Sequence, residues 1–144
     1  MNDNFIKLEI EAKSENVSLA RVVAAGFLTP WDATVGEVTD IKTAISEAVT
    51  NAIIHGYAGA ADSSIVTMEL SVKENILSIK ISDKGVGIED IESAKEPLFT
   101  TKPEMERSGL GFTVMESFMD DVKIESNPGA GTTVTMTRKL GAFK

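Results

Sequence analysis

The stretch Ser46-Glu-Ala-Val-Thr-Asn-Ala-Ile-Ile-His55 sets Glu47, Asn51 and His55 four residues apart. Four residues advance an α-helix by about 400°, so these polar side chains form one stripe beside an apolar face. Reading back toward the N-terminus, Val38, Ile41, Ala44, Ile45, Ala48 and Ala52 recur at helical spacing and supply that face. Thr34-Val-Gly-Glu37 carries the capping-box pattern, in which a threonine hydroxyl and a glutamate three residues later satisfy each other's backbone N–H groups. The helix is therefore predicted to open at Thr34 and to end at Gly56.

Outward from this helix the pattern alternates between strand and helix. Phe5 to Ala12 puts Ile6, Leu8, Ile10 and Ala12 on one face, as a half-buried strand does. Ser14 is placed to cap a first helix, where Val17, Ala20, Val22, Ala24, Phe27 and Leu28 recur at helical spacing, closed by Thr29-Pro30. Beyond the small, polar residues 58–64, the runs Ile65–Val72 and Ile76–Asp83 flank Lys73-Glu-Asn75 as a hairpin. A short helix is predicted over 88–95, then a loop from Pro97 to Ser108. A helix over Gly109–Asp120 follows, with Leu110, Val114, Met115 and Phe118 inward, and a second hairpin pairs Val122–Ser126 with Thr132–Thr137 around Asn127-Pro-Gly-Ala-Gly131. The methionines show no metal-binding spacing and read as core or lid filling. The order β-α-α-β-β-α-β-β implies an α+β fold: a two-layer sandwich with helices on one face of a mixed, mostly antiparallel sheet.

A chain of 144 residues fits one domain, taken here as 1–144. Without cysteine it has no disulfide, zinc–thiolate site or cysteine nucleophile, which fits a reducing compartment. No apolar run approaches the ~18 residues of a membrane helix, and Met1-Asn-Asp-Asn-Phe5 lacks a signal-peptide pattern, so the expected location is cytoplasmic. A net charge of −8 argues against a broad nucleic-acid footprint. A polyanionic ligand would then need local devices: a magnesium ion, helix N-termini and a few placed Lys or Arg side chains.

Such devices occur in the sequence. Ser108-Gly-Leu-Gly-Phe112 opens a helix, where unpaired N–H groups and the helix dipole favour phosphate, so Ser108, Gly109, Leu110 and Gly111 are candidate phosphate contacts. Asn51 offers a neutral amide oxygen suited to Mg²⁺ beside phosphate oxygens, and Glu47, one turn earlier, can orient or deprotonate an attacking hydroxyl. Thr100, Thr101, Lys102 and Arg107 stand in the 97–108 loop, where they can close over a triphosphate. A bidentate guanidinium at Arg107 suits the transferring phosphoryl group.

Glu47-x-x-x-Asn51, Asp83-x-Gly85-x-Gly87, Gly109-x-Gly111 and Gly131-Thr132, in that order, resemble the boxes of the GHKL (Bergerat-fold) ATP-binding superfamily of gyrase, Hsp90, histidine kinases and MutL. Ser46–Tyr57, Pro97–Glu104 and Glu106–Gly109 are similar to the anti-sigma F factors of sporulation, small stand-alone serine kinases of that superfamily, and this likeness covers essentially the whole chain. The resemblance implies ATP with Mg²⁺ as cofactors, Asn51 as the metal ligand and Glu47 as the base. It implies that Asp83 accepts from the adenine amino group, that Gly85 and Gly87 leave room for the base, and that Thr132 stands near it. The loop about 97–108 becomes an ATP lid.

It further implies an anti-sigma factor that binds and inhibits a sporulation sigma factor and phosphorylates a serine of its anti-anti-sigma antagonist. The likeness adds a homodimer, and partner contacts on the first helix, where Arg21 stands. His55 is read as a structural hydrogen-bond partner rather than a phospho-acceptor, because the separate acceptor domain of histidine kinases has no counterpart here. The competing readings are an ATPase module and a non-catalytic, nucleotide-dependent module that sequesters a partner. Glu47 speaks against the second, since pure binding needs no base beside a metal ligand.

Overall fold

The computed structural model describes residues 3–56, 64–84, 111–127 and 131–141, less the side chains of residues 55, 56, 111 and 127. Five strands, β1 (Asn4–Glu11), β2 (Ile65–Lys73), β3 (Ile76–Asp83), β4 (Asp121–Asn127) and β5 (Gly131–Lys139), form one sheet in the order β1-β2-β3-β5-β4. Every pairing is antiparallel, so the sheet is antiparallel throughout. Among the described residues three α-helices, α1 (Glu15–Phe27), α2 (Val35–Asn51) and α3 (Gly111–Phe118), accompany the sheet in the α+β element order that the hydrophobic periodicity predicts. The predicted helix over 88–95 and the 97–108 lid lie outside the described residues.

Strand periodicity decides which face is covered. Val66, Met68, Leu70 and Val72 of β2, Leu77, Ile79 and Ile81 of β3, and Val134 and Met136 of β5 are buried and share one face. Their neighbours Thr67, Glu69, Ser71, Ser78, Lys80, Thr133 and Thr135 occupy the other. Against the apolar face α2 lays Ile41, Ala44, Ile45, Ala48 and Val49, all buried, and α1 adds Ala20, Ala24 and Phe27. Full burial of a side chain such as Ile45 contributes about 1.5–3 kcal/mol. Alanines at the helix contacts let the axes approach closely. Met68, Met115, Met119 and Met136 are core filling, as expected.

Both turn signals act locally. Thr34 Oγ1 accepts the Glu37 N–H at 3.0 Å, and Glu37 Oε1 accepts the Thr34 N–H at 3.0 Å, so the predicted capping box is made. Glu74 and Asn75 both take positive φ, 52° and 65°, as a two-residue hairpin turn that follows the strand twist requires.

Two local expectations need correction, and a third, the inward face of α3, is borne out at Met115 and Phe118 and extended. Ser14 occupies the cap position of α1 but makes no side-chain capping bond, because its own φ and ψ (−59° and −33°) are already helical. Val22 is 68% exposed rather than inward; it lies about 200° around the helix from buried Ala20, and half-buried Val23 takes the inward position. In α3 the buried side chains are Phe112, Met115 and Met119, with Val114 and Phe118 half-buried; Leu110 lies outside the described residues.

Candidate functional site

The N-terminal end of α2 is fixed to the C-terminal end of β5. Glu37, buried although charged, accepts the Gly141 N–H on Oε2 at 2.9 Å while Oε1 serves Thr34. One step along, Arg138 donates to Asp40 Oδ2 at 3.2 Å and to the Phe118 carbonyl at 3.0 Å, tying β5 to α2 and to the end of α3. Burial alone raises the Glu37 carboxyl. The backbone N–H groups of Thr34 and Gly141, the Arg138 charge and the Thr34 hydroxyl outweigh it, so its pKa lies below the ordinary carboxylate value.

From this anchor α2 runs back along the sheet. Glu37 to Asn51 covers about 21 Å at 1.5 Å per residue, comparable to the path along β5 from Arg138 to Thr132 at ~3.3 Å per residue. A π-helical turn, Ala52–Gly56, continues α2 and touches β3 and β5. The helix thus delivers Asn51 toward the sheet end where β3 finishes and β5 begins.

At that end the inward face of the sheet turns from apolar to polar. Asp83 of β3 lies opposite Thr132 of β5, and Thr132 lies opposite Ser126 of β4. The next row inward is Ile81, Val134 and Ile124, so one side-chain row of carboxylate and hydroxyls terminates the core. Asp83 is buried, and Ser126 Oγ and Thr132 Oγ1 are 2.8 Å apart. Gly131, at φ 92°, brings β5 against the end of β3: an added Cβ would meet the Asp83 carbonyl oxygen at 2.1 Å. The glycine of the Gly131-Thr132 box is required by this approach.

Two helices frame the row. The Arg138 nitrogen that holds the end of α3 also holds Asp40, so Asp40 marks the flank of α2 on the α3 side. Asp40, Ala44, Glu47 and Asn51 follow at steps of four, three and four, which keeps Glu47 and Asn51, both half-buried, on that flank. Because the Phe118 end of α3 is bonded at Arg138, its Gly111 end points back toward the Asn51 and Thr132 end, with the positive end of the helix dipole leading. A different flank of α2 faces α1. Ser46, Thr50 and Ile53 line a groove of about 430 Å³ there with Ser14, Val17 and Arg21. Arg21 therefore lies in the groove between α1 and α2, outside the row of Asp83, Thr132 and Ser126.

The structure thus gathers Glu47, Asn51, Asp83, Gly111 and Thr132 toward one end of the sandwich and places Arg21 in the groove between α1 and α2. Gly85, Gly87, Thr100, Thr101, Lys102, Arg107, Ser108, Gly109 and Leu110 lie outside the described residues, as does the side chain of His55. Among the described residues no three His, Cys, Asp or Glu side chains cluster as a metal cage. One amide oxygen at Asn51 nevertheless fits Mg²⁺, which takes few protein ligands and draws the rest from phosphates and water. No helix among the described residues is long and apolar enough to cross a membrane.

Comparison with known proteins gives the family of the chain. Residues 10–138 match the histidine kinase-like ATPase domain family. The anti-sigma F factor of Clostridium perfringens (strain SM101) is 53% identical over 138 residues, covering 96% of this chain and 98% of that protein. The chain belongs to the anti-sigma F factor family. Its Bacillus subtilis relative in that family, from strain 168, is 50% identical over 141 residues, with 98% of this chain and 96% of that protein covered. Two solved structures share the fold. The RsbU and RsbW domains of Rv1364c from Mycobacterium tuberculosis superpose with a TM-score of 0.68 at 20% identity, over 95% of this chain and 32% of that one. The histidine kinase domain of the Erythrobacter litoralis EL346 blue-light activated kinase gives 0.57 at 23%, over 72% and 45%. As a member of an ATPase domain family, this anti-sigma F factor relative carries a fold built to bind ATP.

Motif reading missed Ser126. Asp83 and Thr132 stand in glycine-bearing boxes, whereas Ser126 is an unremarkable strand residue before Asn127-Pro128. Drawing the register of the second hairpin would have found it, since pairing Asn127 with Gly131 sets Ser126 opposite Thr132.

Proposed function

We propose that this single-domain chain is a Mg-ATP-dependent protein serine kinase that also binds and inhibits a sporulation sigma factor. The observation that carries the reading is the convergence at one sheet end of the Glu47/Asn51 flank, the N-terminus of α3 and the Asp83–Thr132 row. Asp83 and Thr132 take the adenine edge, with Gly85 and Gly87 giving it room. The N-terminus of α3, preceded by Ser108-Gly-Leu-Gly111, takes the phosphates. Asn51 offers its amide oxygen to Mg²⁺, which when bound offsets charge on the phosphate oxygens.

Glu47 holds the hydroxyl of the substrate serine and accepts its proton as that oxygen bonds to the γ-phosphorus. The bond from the γ-phosphorus to the bridging oxygen breaks, and ADP leaves. Arg107, with Thr100, Thr101 and Lys102 of the lid, balances the charge on the transferring group. The serine belongs to an anti-anti-sigma antagonist, which competes with the sigma factor for a nucleotide-loaded homodimer. Arg21, in the groove between α1 and α2, serves partner contacts instead of chemistry.

The test is phosphotransfer from labelled ATP with Mg²⁺ to the candidate antagonist of the same genome, with sigma-factor capture measured in parallel. Wild type is expected to label serine. Glu47→Ala should retain ATP binding and lose labelling by about 10²–10⁴-fold, and Asn51→Ala should lose Mg²⁺-dependent nucleotide binding. Tight ATP binding and sigma capture without labelling would replace the kinase by a sequestering module.

A further inference from the structure

We propose that Ser126 is a positioning residue which fixes the direction of the Thr132 hydroxyl, so that the row Asp83–Thr132–Ser126 reads an amino group at C6 of a purine. This rests on the reading of that row as the base-recognising end of a nucleotide site.

The argument is one of proton placement. Ser126 Oγ lies 3.2 Å from the Gly131 carbonyl oxygen and 2.8 Å from Thr132 Oγ1. A carbonyl can only accept, so the Ser126 proton is donated to Gly131. Either hydroxyl could donate across the shorter contact; with the Ser126 proton on Gly131 we assign it as Thr132 to Ser126, which commits the one proton that Thr132 owns. What Thr132 has left for a ligand is lone pairs. Asp83, beside it across the β3–β5 pairing, is a carboxylate with about four acceptor positions, enough for a ligand as well as its existing contacts. Two neighbouring acceptors match the two N–H bonds of a C6 amino group. They oppose a C6 carbonyl, which would bring lone pair against lone pair and leave buried acceptors unmet.

Backbone geometry holds this wiring in place. Gly131 lies so close to Asp83 that its carbonyl, the acceptor for Ser126, is fixed relative to the carboxylate. Ser126 sits on the edge strand β4, paired directly with Thr132, and its side chain is half-buried. Without the Ser126 hydroxyl, Thr132 could rotate and donate to a C6 carbonyl.

The experiment is competition binding of ATP and inosine triphosphate, which differs by a C6 carbonyl, against a fluorescent ATP analogue. It uses the full chain as wild type, Ser126→Ala, Ser126→Thr, Thr132→Val and the Ser126→Ala/Thr132→Val double variant. Wild type is expected to prefer ATP. Ser126→Ala should narrow the ATP-to-inosine-triphosphate ratio by about fivefold to tenfold, and Ser126→Thr, which keeps the hydroxyl, should restore it. In the Thr132→Val background the Ser126→Ala change should add nothing, because its effect passes through Thr132.

An unchanged ratio in Ser126→Ala, or a narrowing that persists in the Thr132→Val background, overturns the proposal while leaving ATP binding intact. Equal binding of both nucleotides by wild type also overturns it. Wild type that binds neither nucleotide removes the underlying nucleotide reading, a separate and recognisable result. If Ser126→Ala does not fold, Thr132→Val alone carries the test: it should narrow the ratio, and an unchanged ratio there overturns the proposal.

Discussion

Gly131 combines a φ of 92° with backbone contact on the end of β3, so two independent constraints exclude a side chain there. Gly131→Ala is expected to cost about 2–3 kcal/mol of stability, because a backbone strain must be met or β5 must move off Asp83. Denaturant unfolding would measure that loss, and nucleotide titration should show weaker ATP binding at temperatures where the variant is still folded. Glu37 is the second residue whose environment decides its behaviour. Its carboxyl is held below the ordinary value in the fold, so the folded state binds its proton less readily than the unfolded chain does. Its contribution is therefore fully present above the unfolded-state pKa and is lost as pH falls through the folded-state pKa. Glu37→Gln should lower stability at neutral pH by about 1–3 kcal/mol and flatten the acid limb of a stability-against-pH curve. A variant with an unchanged acid limb would show that other carboxylates set it.

At the scale of elements, the β2–β3 turn holds a correctable defect. Glu74 takes a left-handed conformation that costs a residue with a long side chain about 1 kcal/mol, whereas asparagine visits it with little penalty. Its backbone N–H, donated to Asp3 Oδ1 at 3.2 Å, survives any substitution that keeps the turn. Glu74→Asn should therefore stabilise the protein by about 0.5–1 kcal/mol, read as a higher denaturant midpoint with an unchanged slope. What the sequence discloses about such elements follows from the range of the interactions that form them. The capping box of α2 and the burial of Ile41, Ala44, Ile45 and Ala48 are local, so spacing reveals them. Val22 was misplaced because several apolar residues on one short helix offer more than one inward arc, and only packing chooses among them. The site divides in the same way. Asp83 and Thr132 are visible through glycines that serve close approach, while Ser126 acquires its place only by strand pairing.

Across the whole molecule, α2 joins two ends with separate duties. One end is anchored through Glu37 to Gly141, a bond between residues 104 apart in sequence that no motif betrays, and through Arg138 to Asp40. The other carries Glu47 and Asn51 toward the polar row. The two ends are about 20 Å apart at 1.5 Å per residue, beyond the range over which substitutions usually couple. A ligand that binds only the folded state raises stability by RT ln(1 + [L]/Kd), about 2.7 kcal/mol at a hundredfold excess over Kd. If the helix is simply a rigid strut, Glu37→Gln lowers the baseline stability but leaves this ligand-induced gain unchanged to within about 0.5 kcal/mol. Gly131→Ala, at the site end, should lower the baseline and shrink the gain together. Unfolding of wild type and both variants with and without saturating Mg-ATP measures all of these terms. A gain that falls in Glu37→Gln as much as in Gly131→Ala would mean that the anchor sets the geometry of the nucleotide end, with α2 transmitting its position along the sheet.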